Sequence, residues 1–199
     1  MLNNLKLNNI RITKISGICG ILLPIVVFIC IGFALSQSPW FNWTEHAISD
    51  LGIQGLSAIF FNSGMIIGGI LAFVFSLGLI KTLQNKTGAY LLCLSSIALI
   101  GIGIFPETIY TIHVIFSTLF FVLIVMSLYV LGLTLRKNQS EKTIGILASL
   151  FAIIAMFSII FLIPWEGIAI PETIICFPAF IWCMIYGAKM TVNKNNLTG

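Results

Sequence analysis

The sequence predicts an all-α polytopic membrane protein: a bundle of six transmembrane helices built as three hairpins, with residues 1–199 forming a single integral membrane domain. Three observations lead to this fold class. Of the 199 residues, 59% are hydrophobic and only 8% are charged. A soluble core could not bury so much apolar surface. The apolar runs also approach the length of about 20 residues that a membrane-spanning helix needs, and the charged residues cluster between them.

The apolar runs place the six spans, in order, at about 15–36, 58–80, 88–105, 108–134, 143–163 and 173–188. The first run is too long for the apolar region of a signal peptide, so we expect it to remain as an anchor. Lys81 and Lys86 mark the turn between the second and third spans, and Lys142 precedes the fifth. The fourth and sixth spans begin at Pro106 and Pro171, each followed by an acid. Proline suits the first helical turn, and an acid beside it complements the helix dipole.

Charge is divided between the two sides of this predicted bundle. All ten lysines and arginines fall in the terminal segments and in the second and fourth connections. Five of the six carboxylates lie on the other side, at Glu45, Asp50, Glu107, Glu166 and Glu172, and only Glu141 lies among the basic residues. The positive-inside rule therefore predicts a multi-pass protein of the cell membrane with cytoplasmic termini and outer acidic loops. The net charge of +4 is dispersed at helix ends that meet anionic headgroups, so we predict no nucleic-acid function.

The longest outer connection carries the densest polar cluster of the chain, over residues 42–52. Asn42 with Glu45 three residues later resembles a capping box, and Gly52 is a natural helix stop. We therefore expect a short interfacial helix in this loop. On such a helix His46 and Asp50, four residues apart, share a face, so a carboxylate could orient the imidazole.

An alternative for the same loop is a purely structural interfacial helix. Its polar side would face water, and Trp40 and Trp43 would anchor it in the headgroup layer. The spacing of the residues favours neither interpretation over the other.

His113 is the sharper candidate because it lies inside the fourth span. A helix that starts near Pro106 places this imidazole roughly 10 Å below the surface at about 1.5 Å per residue. Ionisable groups at that depth normally face a polar interior or a cavity. Tyr110 and Ser117 share its face, and Asn62 on the second span could line the same interior. The alternative is a histidine that only joins helices by hydrogen bonds, which is ordinary in membrane bundles.

The motifs of zinc proteases, serine hydrolases and nucleotide-binding loops are absent from the sequence. The candidates for a catalytic role are His113, His46, Asp50 and Glu107. A divalent metal such as zinc remains open as a cofactor, because two histidines with carboxylates can hold it and leave a position for water. The candidate ligands are His46, His113, Glu107 and Glu172.

Several short motifs, taken in order, resemble a known family. They are Ile48-Ser49-Asp50-Leu51-Gly52, Phe61-Asn62, Gly103-Ile104-Phe105-Pro106-Glu107, His113, Ala169-Ile170-Pro171-Glu172 and Ile181-Trp182. Together they resemble the prokaryotic six-span membrane family catalogued as domain of unknown function 998 (DUF998), nearly from end to end. That family is distantly similar to Frag/DRAM-type proteins, some associated with lipid remodelling or distribution. Many members carry an arginine after the acid of the last helix, whereas Thr173 stands there in this sequence.

These observations predict a polar pocket that opens outward from the bundle. Its expected ligand-binding walls are Glu45, His46, Asp50, Asn62, Glu107, His113 and Glu172, with Trp165 and Glu166 at the rim. One hypothesis is a protein that binds, transports or organises a lipid or a small cationic or zwitterionic ligand, since an acidic pocket disfavours anions. The alternative is a membrane-embedded enzyme that acts on lipid or isoprenoid headgroups at the outer leaflet, with a histidine as base or metal ligand. The lipid bilayer is a partner in either case, and the sequence leaves the oligomeric state open.

Overall fold

A computed structural model describes residues 2–158 and 166–192 of the chain. The described residues form six α-helices: α1 Leu2–Ser36, α2 Gly55–Thr82, α3 Thr87–Ile104, α4 Tyr110–Leu135, α5 Lys142–Phe157 and α6 Ala169–Val192. Two short 3-10 helices, Ile48–Gly52 and Glu107–Ile109, lie in the connections that precede α2 and α4. The described part of the chain contains no β-strand, so the predicted all-helical bundle is confirmed.

Five of these helices are long and apolar enough to cross a membrane. As described, α5 is shorter, and residues 159–163 of the predicted fifth span lie outside the described residues. Large apolar side chains point outward from the helices, as Ile18, Ile25 and Ile29 do along α1. Helices that are apolar on their outer face as well as on their inner face are typical of membrane spans. The structure is therefore that of a multi-pass membrane protein embedded in a lipid bilayer.

The helices form a ring in chain order, in which each packs on the next and α6 closes against α1. Small residues allow the close approaches. A Cβ on Gly17 of α1 would lie 2.7 Å from the carbonyl oxygen of Gly187 on α6. A Cβ on Gly145 of α5 would lie 3.0 Å from the carbonyl oxygen of Gly132 on α4. Such contacts are the usual means of packing in membranes, where apolar burial does not drive helices together.

The connections gather at two ends of the bundle. We call the end formed by residues 37–54, 105–109 and 166–168 the acidic end, and the opposite end, with the turns at 83–86 and 136–141, the basic end. Glu141 is the acid that lies among the basic residues. Its Oε1 accepts hydrogen bonds from Lys189 Nζ (2.6 Å) and from the Tyr186 hydroxyl (3.0 Å). Glu141 therefore ties α5 to α6.

Candidate functional site

Residues 42–52, which we call the roof, cross the acidic end of the bundle. Only the last five of them, Ile48–Gly52, form a helix, and it is a 3-10 helix. The expected capping box at Asn42 is instead a turn, in which Asn42 Oδ1 accepts the amide of Thr44 at 3.0 Å. Asn42 Nδ2 donates to Glu45 at 2.8 Å. An asparagine side chain that bonds the backbone two residues on competes with helix formation, and this competition explains the difference.

Two backbone hydrogen bonds join the roof to the segment that leads into α6. The amide of Gly167 donates to Thr44 O (2.9 Å), and the amide of Ala169 donates to His46 O (3.0 Å). A Cβ on Gly167 would fall against the backbone of Glu45 and His46. The close approach of the two segments therefore requires glycine at position 167.

His46 does not pair with Asp50 as the helical spacing suggested, because residues 46 and 47 are not helical. The backbone amide of Asn42 donates to His46 Nδ1 at 3.1 Å. The imidazole packs against Trp40, with ring centroids 5.1 Å apart, and against Phe41 at 5.8 Å. His46 therefore packs within the loop and contacts its aromatic residues.

Three carboxylates, Asp50, Glu107 and Glu172, converge on the roof. Asp50 accepts the Ala47 amide (2.9 Å), Glu107 accepts the Ser49 hydroxyl (2.9 Å) and Glu172 accepts the Ile48 amide (2.6 Å). Glu107 also lies close to the carboxyl group of Asp50. Glu107 and Glu172 thus fasten the roof to the start of α4 and of α6. These two hydrogen bonds join segments that are far apart in the chain.

His113 is buried, with 3% of its surface exposed, at the start of α4. Its Nδ1 lies 2.8 Å from the carbonyl oxygen of Phe105, which follows the last residue of α3. A carbonyl only accepts, so Nδ1 is the donor in this contact. Tyr110, expected on the same face, is 67% exposed, whereas Ser117 faces the interior. The geometry is that of a histidine that joins α3 to α4, with Glu107 as its acidic neighbour.

The remaining predicted pocket residues lie around the roof. Asn62 Nδ2 donates to the carbonyl oxygen of Gly52 at 3.0 Å and so ties α2 to the end of the roof. Glu45 and Glu166 are exposed at the acidic end. Trp165 lies outside the described residues.

The metal site suggested by the sequence is not assembled in the described structure. No group of three or more His, Cys, Asp or Glu side chains there could hold a metal ion. His46 lies in the turn beside Trp40, and His113 is engaged under the turn between α3 and α4. The two histidines therefore belong to different local structures, and we derive no metal chemistry from them.

A cavity of about 160 Å³ lies beneath the roof, and the sequence did not indicate it. Its walls come from α1, α2, α3, α4 and α6. Seven of the described lining residues are aromatic: Phe28, Trp43, Phe61, Phe120, Phe121, Phe177 and Phe180. Four are polar: Ser49, Ser117, Glu172 and Thr173. Phe177 is 51% exposed, so the wall reaches the outer surface of the described bundle.

The space beneath the roof is therefore an apolar cavity with a few polar residues near the roof, and it differs from the acidic pocket that the sequence predicted. Most of the predicted pocket residues fasten the roof or lie at the surface. Within the described part of the chain, Glu172 is the only predicted pocket wall residue that lines the cavity. The side chain of Glu172 is 8% exposed, and it bonds the roof through Oε2. It is also the only acidic or basic residue among the described lining residues.

A family model described as "Protein of unknown function (DUF998)" matches residues 21–189, from α1 through most of α6. The match includes the roof and every described residue that lines the cavity. No curated protein and no solved structure matches the chain.

Proposed function

We propose that this chain, which belongs to the DUF998 family, is a lipid-binding membrane protein that holds the apolar part of an amphiphile in the cavity beneath the roof. The single observation that carries the proposal is the cavity: about 160 Å³, largely apolar, and closed at the acidic end by a fastened loop. Ligand sites in proteins are typically concave and mostly apolar, with a few placed polar groups. An apolar cavity of about 150 Å³ can hold a benzene ring, so this one is large enough for a ring or a short part of a chain.

The polar groups set the orientation of the proposed ligand. Ser49 and Glu172 are among the polar residues near the roof, and Phe120 and Phe180 lie further from the acidic end along α4 and α6. The polar group of the amphiphile therefore lies at the acidic end, and its apolar part extends into the bundle. With the acidic loops outside, as the positive-inside rule predicts, the ligand comes from the outer leaflet of the cell membrane.

The enzymatic alternative has less support. In the form that the sequence suggested, it needs a histidine as base or metal ligand at the bound lipid, and no histidine occurs among the described residues that line the cavity. His46 and His113 are each engaged by backbone groups of the neighbouring turn. A general base must lie within hydrogen-bond reach of the proton that it removes. Binding without chemistry is therefore the function that we propose.

Filling the cavity tests the proposal. Ser117 is half-buried at the cavity wall, whereas the next residue, Thr118, is exposed on the outside of α4. Ser117→Phe places a ring in the cavity, and Thr118→Phe adds the same ring outside as a matched control. Lipids extracted from each purified protein are identified and counted by mass spectrometry.

We expect about one amphiphile per chain in wild type and in Thr118→Phe, and loss of this molecule in Ser117→Phe. Filling a cavity commonly stabilises a protein by about 0.5–2 kcal/mol, so Ser117→Phe should unfold no earlier than wild type without its ligand. Equal lipid content in two folded variants would contradict the proposal. Loss of lipid together with loss of folding would be resolved by the smaller substitution Ser117→Leu.

A further inference from the structure

We infer that the amphiphile is a lipophilic amine, whose ammonium group lies between the Glu172 carboxylate and the aromatic rings of the cavity. The inference rests on the proposed function, because it names the ligand class of the same site. Three features of the cavity support it: the charges around Glu172, the open acceptor on that carboxylate, and the rings below it.

The ionisable groups at this site are all acids. Glu172 is the only acidic or basic residue among the described lining residues, and the ionisable neighbours that act on it are the carboxyl groups of Glu107 and Asp50. The connections at the acidic end contain no lysine or arginine in the sequence. An anionic ligand would meet repulsion with no compensating group. A headgroup with a net negative charge is disfavoured for the same reason, whereas an ammonium group supplies the missing countercharge.

Glu172 retains capacity to bind a donor. Its Oε2 accepts the Ile48 amide at 2.6 Å, and within the described part of the chain Oε1 receives no hydrogen bond. A carboxylate offers about four acceptor sites on its two oxygens. Charged groups inside membrane proteins are costly and normally mark a partner or a pathway. A ligand with N–H donors, or a quaternary ammonium beside the carboxylate, provides that partner.

The aromatic rings of the cavity suit a cation as well as an alkyl chain. Phe28 on α1 stacks on Phe177 of α6, with ring centroids 5.2 Å apart. Trp43 lines the cavity from the roof. Aromatic faces attract ammonium groups, most strongly where water is excluded, and aromatic cages are the usual recognition site for quaternary ammonium. A neutral hydrocarbon ligand would use the rings but would leave Oε1 of Glu172 without a donor.

Three photoreactive probes test the ligand class. They share one decyl chain with a diazirine and differ only in the polar group: a trimethylammonium, a hydroxyl or a carboxylate. Each is added to the full-length protein in phosphatidylcholine nanodiscs, and labelling is measured by mass spectrometry. Labelling of Ser117→Phe, whose cavity is filled, gives the background for each probe and corrects for unequal partitioning into the bilayer.

We expect the ammonium probe to label wild type about tenfold more than the carboxylate probe, with the hydroxyl probe between them. Glu172→Gln keeps an acceptor for the Ile48 amide but removes the charge, so it should abolish this preference while hydroxyl labelling continues. Glu166→Gln removes an exposed charge at the same end and should leave the preference intact. If Glu172→Gln does not fold, competition by unlabelled decyl compounds against the hydroxyl probe in wild type gives the same ranking.

The outcomes separate the two proposals. Equal labelling by the three probes above background would overturn the amine inference and leave lipid binding intact. An ammonium preference that survives in Glu172→Gln would also overturn it, because the preference would then come from elsewhere. No labelling above background by any probe would overturn the proposed function itself.

Discussion

The attachment of the roof to the start of α6 can be tested with a single methyl group. In Gly167→Ala the new Cβ falls against the backbone of Glu45 and His46, and neither backbone can yield as a flexible side chain would. The two segments must therefore separate, which breaks the hydrogen bonds from the amides of Gly167 and Ala169. Each such bond contributes about 0.5–1.5 kcal/mol net, so the loss should be about 1–3 kcal/mol.

The free energy of unfolding is measured by titration with denaturing detergent in mixed micelles, and amide exchange at residues 167 and 169 reports the local opening. Gly32→Ala is the matched control, because a Cβ at Gly32 on α1 meets nothing within 4 Å. Alanine in a helix interior is favoured over glycine by up to about 1 kcal/mol, so the control should be neutral or stabilising. If Gly167→Ala matches Gly32→Ala in stability and in exchange, the roof is not held as described.

Three further predictions concern the rest of the molecule. His113→Gln can still donate to the end of α3, so it should keep both stability and lipid binding. His113→Ala should lower the free energy of unfolding by on the order of 1 kcal/mol in the detergent titration. Loss of lipid binding in a stable Gln variant would give the histidine a functional role. Single cysteines at positions 54 and 168 in a cysteine-free chain should react with an impermeant thiol reagent on intact cells, and one at 139 should not; reversed labelling would invert the topology. Glu141→Ala should lower the free energy of unfolding by about 1–3 kcal/mol, because it leaves a lysine and a tyrosine hydroxyl of α6 without their acceptor. An unchanged unfolding curve would show that this contact does not stabilise the bundle.

The helical bundle could be predicted because its signals are local. Apolar length sets each span, and Pro106 and Pro171 mark helix starts that any membrane helix would use. Gly17 of α1 packs against Gly187 of α6, and nothing in the sequence indicates that these two residues are in contact.

The roof shows why the site was only partly predictable. Asp50, Glu107 and Glu172, which the sequence analysis grouped as expected pocket residues, all form hydrogen bonds with the roof. Their arrangement was not predictable, because Ile48 bonds a carboxylate 124 residues away and Ser49 bonds one 58 residues away. Local spacing favoured a helix over residues 42–52. The Asn42 side chain instead forms a local turn, and the distant bonds hold the 3-10 helix that follows.

The cavity could not be predicted from the sequence for a related reason. The chain contains 16 phenylalanines, and composition alone does not say which of their rings face one another and which face lipid. Phe120 is 3% exposed and Phe177 is 51% exposed, yet both line the same space. A cavity between five helices depends on how those helices tilt, and tilt is set by packing between distant residues.

The most direct test of the central claim is an experimental density map of the wild-type protein in lipid nanodiscs, determined by electron cryo-microscopy with a small binding partner to add mass. The claim predicts elongated density inside the cavity, bounded by Phe28, Phe120 and Phe177, with its polar end in contact with the Glu172 carboxylate and with the roof closed above it. A map of the same quality in which side chains fill this space, or in which lipid density occurs only on the outer surface of the bundle, would contradict it.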